Sequence, residues 1–134
     1  MIVVDASILA NAVGDDEDDG HTARKELRAA GDLAAPDLVD VETVAVLRKR
    51  WMARTISEDR FDAAVTDLRR LDFERVRTLR LVRRAYELRA NVTAYDATYV
   101  ALAEALDCEL LTADQRLAHA IGPRCRIRVL PGQR

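Results

Sequence analysis

Aromatic side chains are few in this chain. Trp51, Phe61, Phe73, Tyr86, Tyr95 and Tyr99 are the whole set, so a core must be built from Val, Leu, Ile and Ala. Lysine is nearly missing: of 21 basic residues only Lys25 and Lys49 are Lys, and the rest are Arg. The two cysteines, Cys108 and Cys125, lack C-x-x-C spacing and read as small buried hydrophobes in a reducing compartment. The two histidines, His21 and His119, have no neighbour at a ligand spacing and read as surface residues. No stretch approaches the roughly 18 consecutive apolar residues that a membrane span needs. The first residues lack the basic start of a secretory signal, and Asp5 interrupts their apolar run, so a cytoplasmic protein is expected. With no repeat, low-complexity tract or linker, residues 1–134 read as one domain, long enough to bury a core without staples.

The formal net charge of -2 argues neither for nor against a nucleic-acid partner. Its distribution is uneven. Asp15 to Asp19 is an unbroken run of five acids, and Arg69 to Arg89 holds eight Arg against three acids. A solvated surface explains each run on its own.

What the chain does have is an alternation of short apolar runs and helical stretches. Ile2, Val3 and Val4 suit a strand buried on both faces, and Ala6 to Val13 reads as a helix. After a polar loop over Gly14 to Gly20, His21 to Ala30 is helical and Gly31 ends it. Asp32 to Ala35 is a link or a short strand. Pro36 suits the first turn of a helix over Asp37 to Arg50. Ser57 caps a helix over Glu58 to Leu71, and Phe73 to Val76 reads as a strand. Thr78 to Arg89 reads as a helix with Leu79, Val82, Tyr86 and Leu88 inward. Thr93 opens the next helix, whose apolar positions are Tyr99, Val100, Ala103 and Leu106. Glu109 to Thr112 is a strand, Asp114 to Ala120 a short helix, Arg126 to Leu130 a last strand, and Pro131 to Arg134 a tail. This alternation predicts an α/β fold with a parallel sheet covered on both faces.

Four carboxylates stand out. Asp5 and Asp114 follow predicted strands, and on parallel neighbouring strands they would emerge at one sheet edge. Capping of the following helices explains each of them equally well, as it does Asp96 near Thr93. Glu42 is harder to explain that way. At about 100° per residue Leu38, Ala45 and Val46 flank it on its helix, with Lys49 near enough to be a partner. A carboxylate drawn out of water must be paired, protonated or facing a cation. Four acids in one cleft would repel one another, and a divalent cation resolves that. Oxygen donors without His or Cys favour Mg²⁺, with Mn²⁺ as a substitute, and the chemistry of such a centre is phosphodiester hydrolysis. Ser7 and Thr112, two residues from Asp5 and Asp114, either orient those carboxylates or satisfy nearby backbone groups.

The stretches Val3-Val-Asp-Ala-Ser-Ile-Leu, Pro36-Asp-Leu-Val-Asp-Val-Glu, Tyr95-Asp-Ala-Thr-Tyr-Val-Ala-Leu-Ala and Leu110-Leu-Thr-Ala-Asp-Gln-Arg-Leu, in this order, resemble the PIN-domain ribonucleases. More narrowly, they resemble the VapC toxins of bacterial VapBC toxin–antitoxin pairs. The resemblance implies a three-layer α/β/α fold and a metal-dependent endoribonuclease whose acidic quartet is Asp5, Glu42, Asp96 and Asp114. It implies structured RNA targets such as transfer or ribosomal RNA, inhibition by a VapB-type antitoxin, and a homodimer. The broad apolar arcs of the helices between Asp37 and Leu71 are candidates for the dimer contact. Some family members carry a further acid shortly after the position of Asp114. Here Gln115, Arg116, Leu117 and Ala118 come next, which favours one Mg²⁺. Beside such a site Arg80, Arg83, Arg84, Arg89 and Arg116 are candidate contacts to RNA phosphates or to an acidic antitoxin segment. The acidic run Asp15 to Asp19 is expected to point away from the RNA or to touch a partner. Two other readings stand beside this one. The first is a catalytically silent RNA- or protein-binding module of the same fold. The second is a Mg²⁺-dependent phosphatase or phosphoacceptor domain, weakened because neither Lys follows a late strand.

Overall fold

Three consecutive apolar residues, all of them β-branched, start the molecule's central strand, and Val3 and Val4 are fully buried. The computed structural model describes residues 1–131. Its five strands are β1 (Ile2–Val4), β2 (Leu33–Pro36), β3 (Glu74–Val76), β4 (Leu110–Thr112) and β5 (Ile127–Val129). They form one sheet in the order β3-β2-β1-β4-β5, and every neighbouring pair is parallel. The helices are α1 (Ala6–Gly14), α2 (Asp18–Ala30), α3 (Val39–Met52), α4 (Glu58–Arg70), α5 (Val82–Glu87), α6 (Ala94–Ala105) and α7 (Gln115–Ala118), with a 3₁₀ turn at Thr78–Leu81.

The chain steps outward from β1 through β2 to β3, then returns past β1 to β4 and β5. Right-handed crossovers put helices on opposite faces when the direction reverses. Accordingly α1 packs with α2, α3 and α4, while α6 packs with α5 and lies along β1, β2 and β4. The result is the expected three-layer α/β/α arrangement. The core is mostly small and aliphatic, with Tyr99 its one fully buried ring among the described residues.

Several elements differ from the sequence reading. Of the link or strand over Asp32 to Ala35, the strand is what forms, from Leu33, and Pro36 is the last residue of β2 rather than the start of a helix. A parallel strand tolerates Pro at its end, because the ladder there is continued by the Asp37 amide, which donates to the Val76 carbonyl at 2.7 Å. α2 begins at Asp18, so the acidic run is partly helix and not a loop. Asp15 is buried and accepts from the amides of Glu17 (2.8 Å) and Gly20 (3.2 Å), while Asp16 pairs with Arg60 of α4 at 2.9 Å. The face of the Thr78–Arg89 stretch is also different. Leu81, Ala85 and Leu88 are buried, whereas Leu79, Val82 and Tyr86 are exposed. Leu106 sits at the rim and Ala45 is exposed. Cys108 and Cys125 are free and half-buried, and burial pushes both thiols up, Cys125 to about 11. Both His are exposed, as expected. Beyond Pro131 the tail lies outside the described residues. Among the described residues, no helix is long and apolar enough to cross a membrane.

Candidate active site

The reversal between β1 and β4 leaves a crevice outside their carboxyl ends, where ligands bind in open α/β sheets. Both strands run into an acid there. The pairing of Val4 with Leu111 sets Asp5 level with Thr112, and Asp114 comes two residues later. Glu42 lies in the first turn of α3, which follows β2, and Asp96 in the first turn of α6. The four acids of the sequence reading thus reach the same edge from four separate elements.

Asp5 is the most enclosed. One carboxylate oxygen accepts from the Ser7 amide (3.1 Å), the Ser7 hydroxyl (2.5 Å) and the Ile8 amide (3.3 Å). The other accepts from the Thr112 hydroxyl. Ser7 Oγ in turn accepts from the Ala113 amide, and Thr112 Oγ1 from the Asp114 amide, each at 3.0 Å. Ser7 and Thr112 therefore do both things open to them: they orient Asp5 and satisfy the backbone of the loop after β4. Glu42 accepts from the Tyr99 hydroxyl at 2.5 Å, and this hydroxyl, not Lys49, is its partner. Asp114 accepts from the Arg116 amide at 2.9 Å as the cap of α7, and its carboxylate pairs loosely with the Arg116 guanidinium at 3.3 Å. At α6 the cap is Thr93, whose hydroxyl accepts from the Asp96 amide at 3.2 Å. Capping thus accounts for Asp5 and Asp114, and Asp96 shares a reciprocal cap with the Thr93 hydroxyl, whereas Glu42 caps nothing and is held by Tyr99 alone.

Three of these acids are held in their neutral direction. Burial pushes Asp5 up to about 6, against the bonds from Ser7, Thr112 and the Ile8 amide, and the charge of Asp96 adds to the rise. Burial also raises Glu42, the Tyr99 hydroxyl opposing and Asp96 reinforcing. Asp96 is raised by burial and then by the charge of Asp114, with Thr93 and Arg116 opposing. Asp96 is the common member of this electrostatic chain. Burial and the neighbouring acids also hold the Tyr99 phenol protonated. Among the described residues, no three His, Cys, Asp or Glu side chains stand close enough to enclose a metal ion by themselves.

Beside the acids, a cleft of about 540 Å³ is lined by Ser7, Asn11, Asp19, Lys49, Arg50 and Asp114, among others. The Arg50 guanidinium is fixed in it by Asn11 Oδ1 at 2.6 Å and the Ala10 carbonyl at 3.4 Å. Of the candidate arginines, Arg80, Arg83, Arg89 and Arg116 are solvent-accessible. Arg84 is not available for RNA. It donates to Glu104 (2.7 Å) and Glu87 (3.3 Å) and to the Gly122 carbonyl (3.1 Å), tying α5 and α6 to the loop before β5. Sequence reasoning misses Tyr99 as a site residue because its position reads as core. The available signal is its hydroxyl, since a buried tyrosine needs a hydrogen-bond partner. The Asn11–Arg50 pair has no signal in the sequence.

A family model described as the PIN domain matches residues 2–122. VapC ribonuclease Mb0985 of Mycobacterium bovis and ribonuclease VapC9 of Mycobacterium tuberculosis are each 43% identical over 136 residues, covering 98% of this chain and 99% of theirs. Ribonuclease VapC12 of Mycobacterium tuberculosis is 33% identical over 97% of this chain and 99% of its own. Among solved structures, Mycobacterium tuberculosis VapC20, a sarcin–ricin loop cleaving toxin, superposes with a TM-score of 0.61 at 23% identity over 82% of this chain and 87% of that one. Rickettsia felis VapBC2, bound to a DNA fragment from its promoter, gives a TM-score of 0.67 at 17% identity over 98% and 100%. With the full-length match, the five-stranded parallel sheet and the acids at its switch point, this chain belongs to the PIN-domain family and, within it, to the VapC-type toxin ribonucleases.

Proposed function

We propose that this toxin cuts structured RNA, of the transfer or ribosomal class, through a Mg²⁺ site formed by Asp5, Glu42, Asp96 and Asp114. The observation that supports this reading is the sheet edge after β1 and β4, where Asp96 lies within electrostatic reach of Asp5, Glu42 and Asp114. The donor set consists of carboxylate oxygens without His or Cys, which suits a hard cation. Because no three acids among the described residues enclose an ion unaided, the fit is to a cation that keeps much of its water, as Mg²⁺ does. A bound divalent cation supplies Lewis acidity toward water and the phosphate oxygens. The chain's own contribution is placement. Ser7 and Thr112 fix Asp5, Tyr99 fixes Glu42, and Arg116 at the rim offers positive charge to a phosphate. A VapB-type antitoxin is the partner this reading expects, and family resemblance adds a second copy of the chain in a dimer.

The spread of the acids also favours a second reading, in which the module binds RNA without cutting it. A cleavage assay on total cellular RNA separates the two, with Mg²⁺, Mn²⁺ or EDTA and with Asp5→Asn in parallel. The proposal expects discrete fragments that need the metal and vanish in the variant. Fragments that persist in EDTA, or an active Asp5→Asn protein, would overturn it.

A further inference from the structure

We infer that the groove between Tyr86 and Tyr95 is a stacking platform for an unpaired stretch of the RNA substrate, a reading that rests on the nuclease function proposed above. In a chain with so few rings, two of the three tyrosines are left in solvent here: Tyr86 is 54% and Tyr95 64% exposed. The core does not need them, because Leu81, Ala85 and Leu88 supply the buried face of the segment that carries Tyr86. A groove of about 510 Å³ runs from Val82, Tyr86 and Arg89 to Thr93, Tyr95 and Thr98. Thr93, Ala94 and Tyr95 on its wall belong to the start of α6, the turn that also carries Asp96.

Arg89 lines the groove, and Arg80 and Arg83 are exposed on the segment beside it. The Arg89 guanidinium lies 4.1 Å and that of Arg83 5.7 Å from the centre of the Tyr86 ring. The acid of α5, Glu87, is paired with Arg84. Rings that accept bases and arginines that accept phosphates are how proteins hold single-stranded nucleic acid. The same charge argues against a second copy of the chain as the occupant. A two-fold contact would set this patch against itself and bring the arginines of both copies together.

The test is fluorescence anisotropy with a short labelled oligouridylate in EDTA, where binding is read without cleavage, and with a duplex of equal length as the comparison. The expected result is that Tyr86→Ala and Tyr95→Ala each weaken single-strand binding about tenfold. Tyr95→Phe, which keeps the ring, should bind like the parent chain, and duplex binding should not change. Unaltered melting temperatures would show that the exposed substitutions leave the fold intact. Three results would overturn the inference: single-strand binding by the Ala variants equal to the parent, a parent chain that does not prefer the single strand, or Ala variants that only split a dimer in light scattering. Because the readout needs no catalysis, a parent chain that binds but never cuts would sink the proposed function and leave the platform standing.

Discussion

Asp5 receives hydrogen bonds from two amides and two hydroxyls, yet burial still raises it to about 6. Glu42 and Asp96 shift in the same direction. Each of these groups is easier to ionise in the unfolded chain, so each lowers the stability of the metal-free protein once charged. That loss is absent below the ordinary carboxylate range, builds as the pH rises above it, and for Asp5 is complete above about 6. Other acids act in the opposite sense. For Glu104 burial is outweighed by Arg84 and the Arg124 amide, and Asp16 is held down by Arg60; their contribution is lost only as the pH falls into and below the ordinary carboxylate range. In EDTA the protein should therefore melt higher near pH 5 than near pH 8, the reverse of the usual acid loss. A melting profile that climbs steadily toward pH 8 would contradict this account. At Glu42, Tyr99→Phe keeps the buried ring and removes only the hydroxyl. It should cost about 1–2 kcal/mol in denaturant unfolding and slow RNA cleavage with no change of fold, read by circular dichroism. Asp5 and Asp114 are legible in the sequence as acids after strands, and Glu42 as an acid within an apolar arc. The role of Tyr99 is not, because an aromatic at an apolar helix position carries the same pattern whether or not its hydroxyl is used.

At the scale of elements, helices and strands can be read from periodicity, but which face turns inward cannot. Leu79, Val82 and Tyr86 make as regular a stripe as Leu81, Ala85 and Leu88. The segment opens with a 3₁₀ turn, Thr78–Leu81, whose tighter winding shifts the phase of the helix after it, and the second stripe is the one buried. The acidic run shows a similar limit. Five acids in a row look like solvated surface, but Asp15 folds back onto the start of α2. That closure depends on Gly20, where a Cβ would stand 1.8 Å from the Asp15 carbonyl oxygen. In an open helix Gly→Ala gains about 1 kcal/mol. Here Gly20→Ala should instead cost at least about 2 kcal/mol, measured by urea unfolding. A neutral or stabilising result would mean that the α1–α2 turn is looser than the structure shows.

For the whole molecule, the alternation of strands and helices is enough to predict a parallel sheet, and the four family blocks name the fold. The strand order is not legible, since it depends on where the chain reverses, and no local pattern encodes that. The reversal matters for function because it makes β1 and β4 neighbours, bringing Asp5 and Asp114 to one crevice with α6 supplying Asp96. Asp96 is held near other acids against its own preference for water, a placement that makes sense if stability is given up for cation binding. The most direct test of this account is the melting temperature of the parent chain and of Asp96→Asn, each in EDTA and in Mg²⁺. The account predicts that Asp96→Asn melts higher than the parent in EDTA, and that Mg²⁺ raises the parent but not the variant. An Asp96→Asn protein that melts lower in EDTA and still responds to Mg²⁺ like the parent would contradict it.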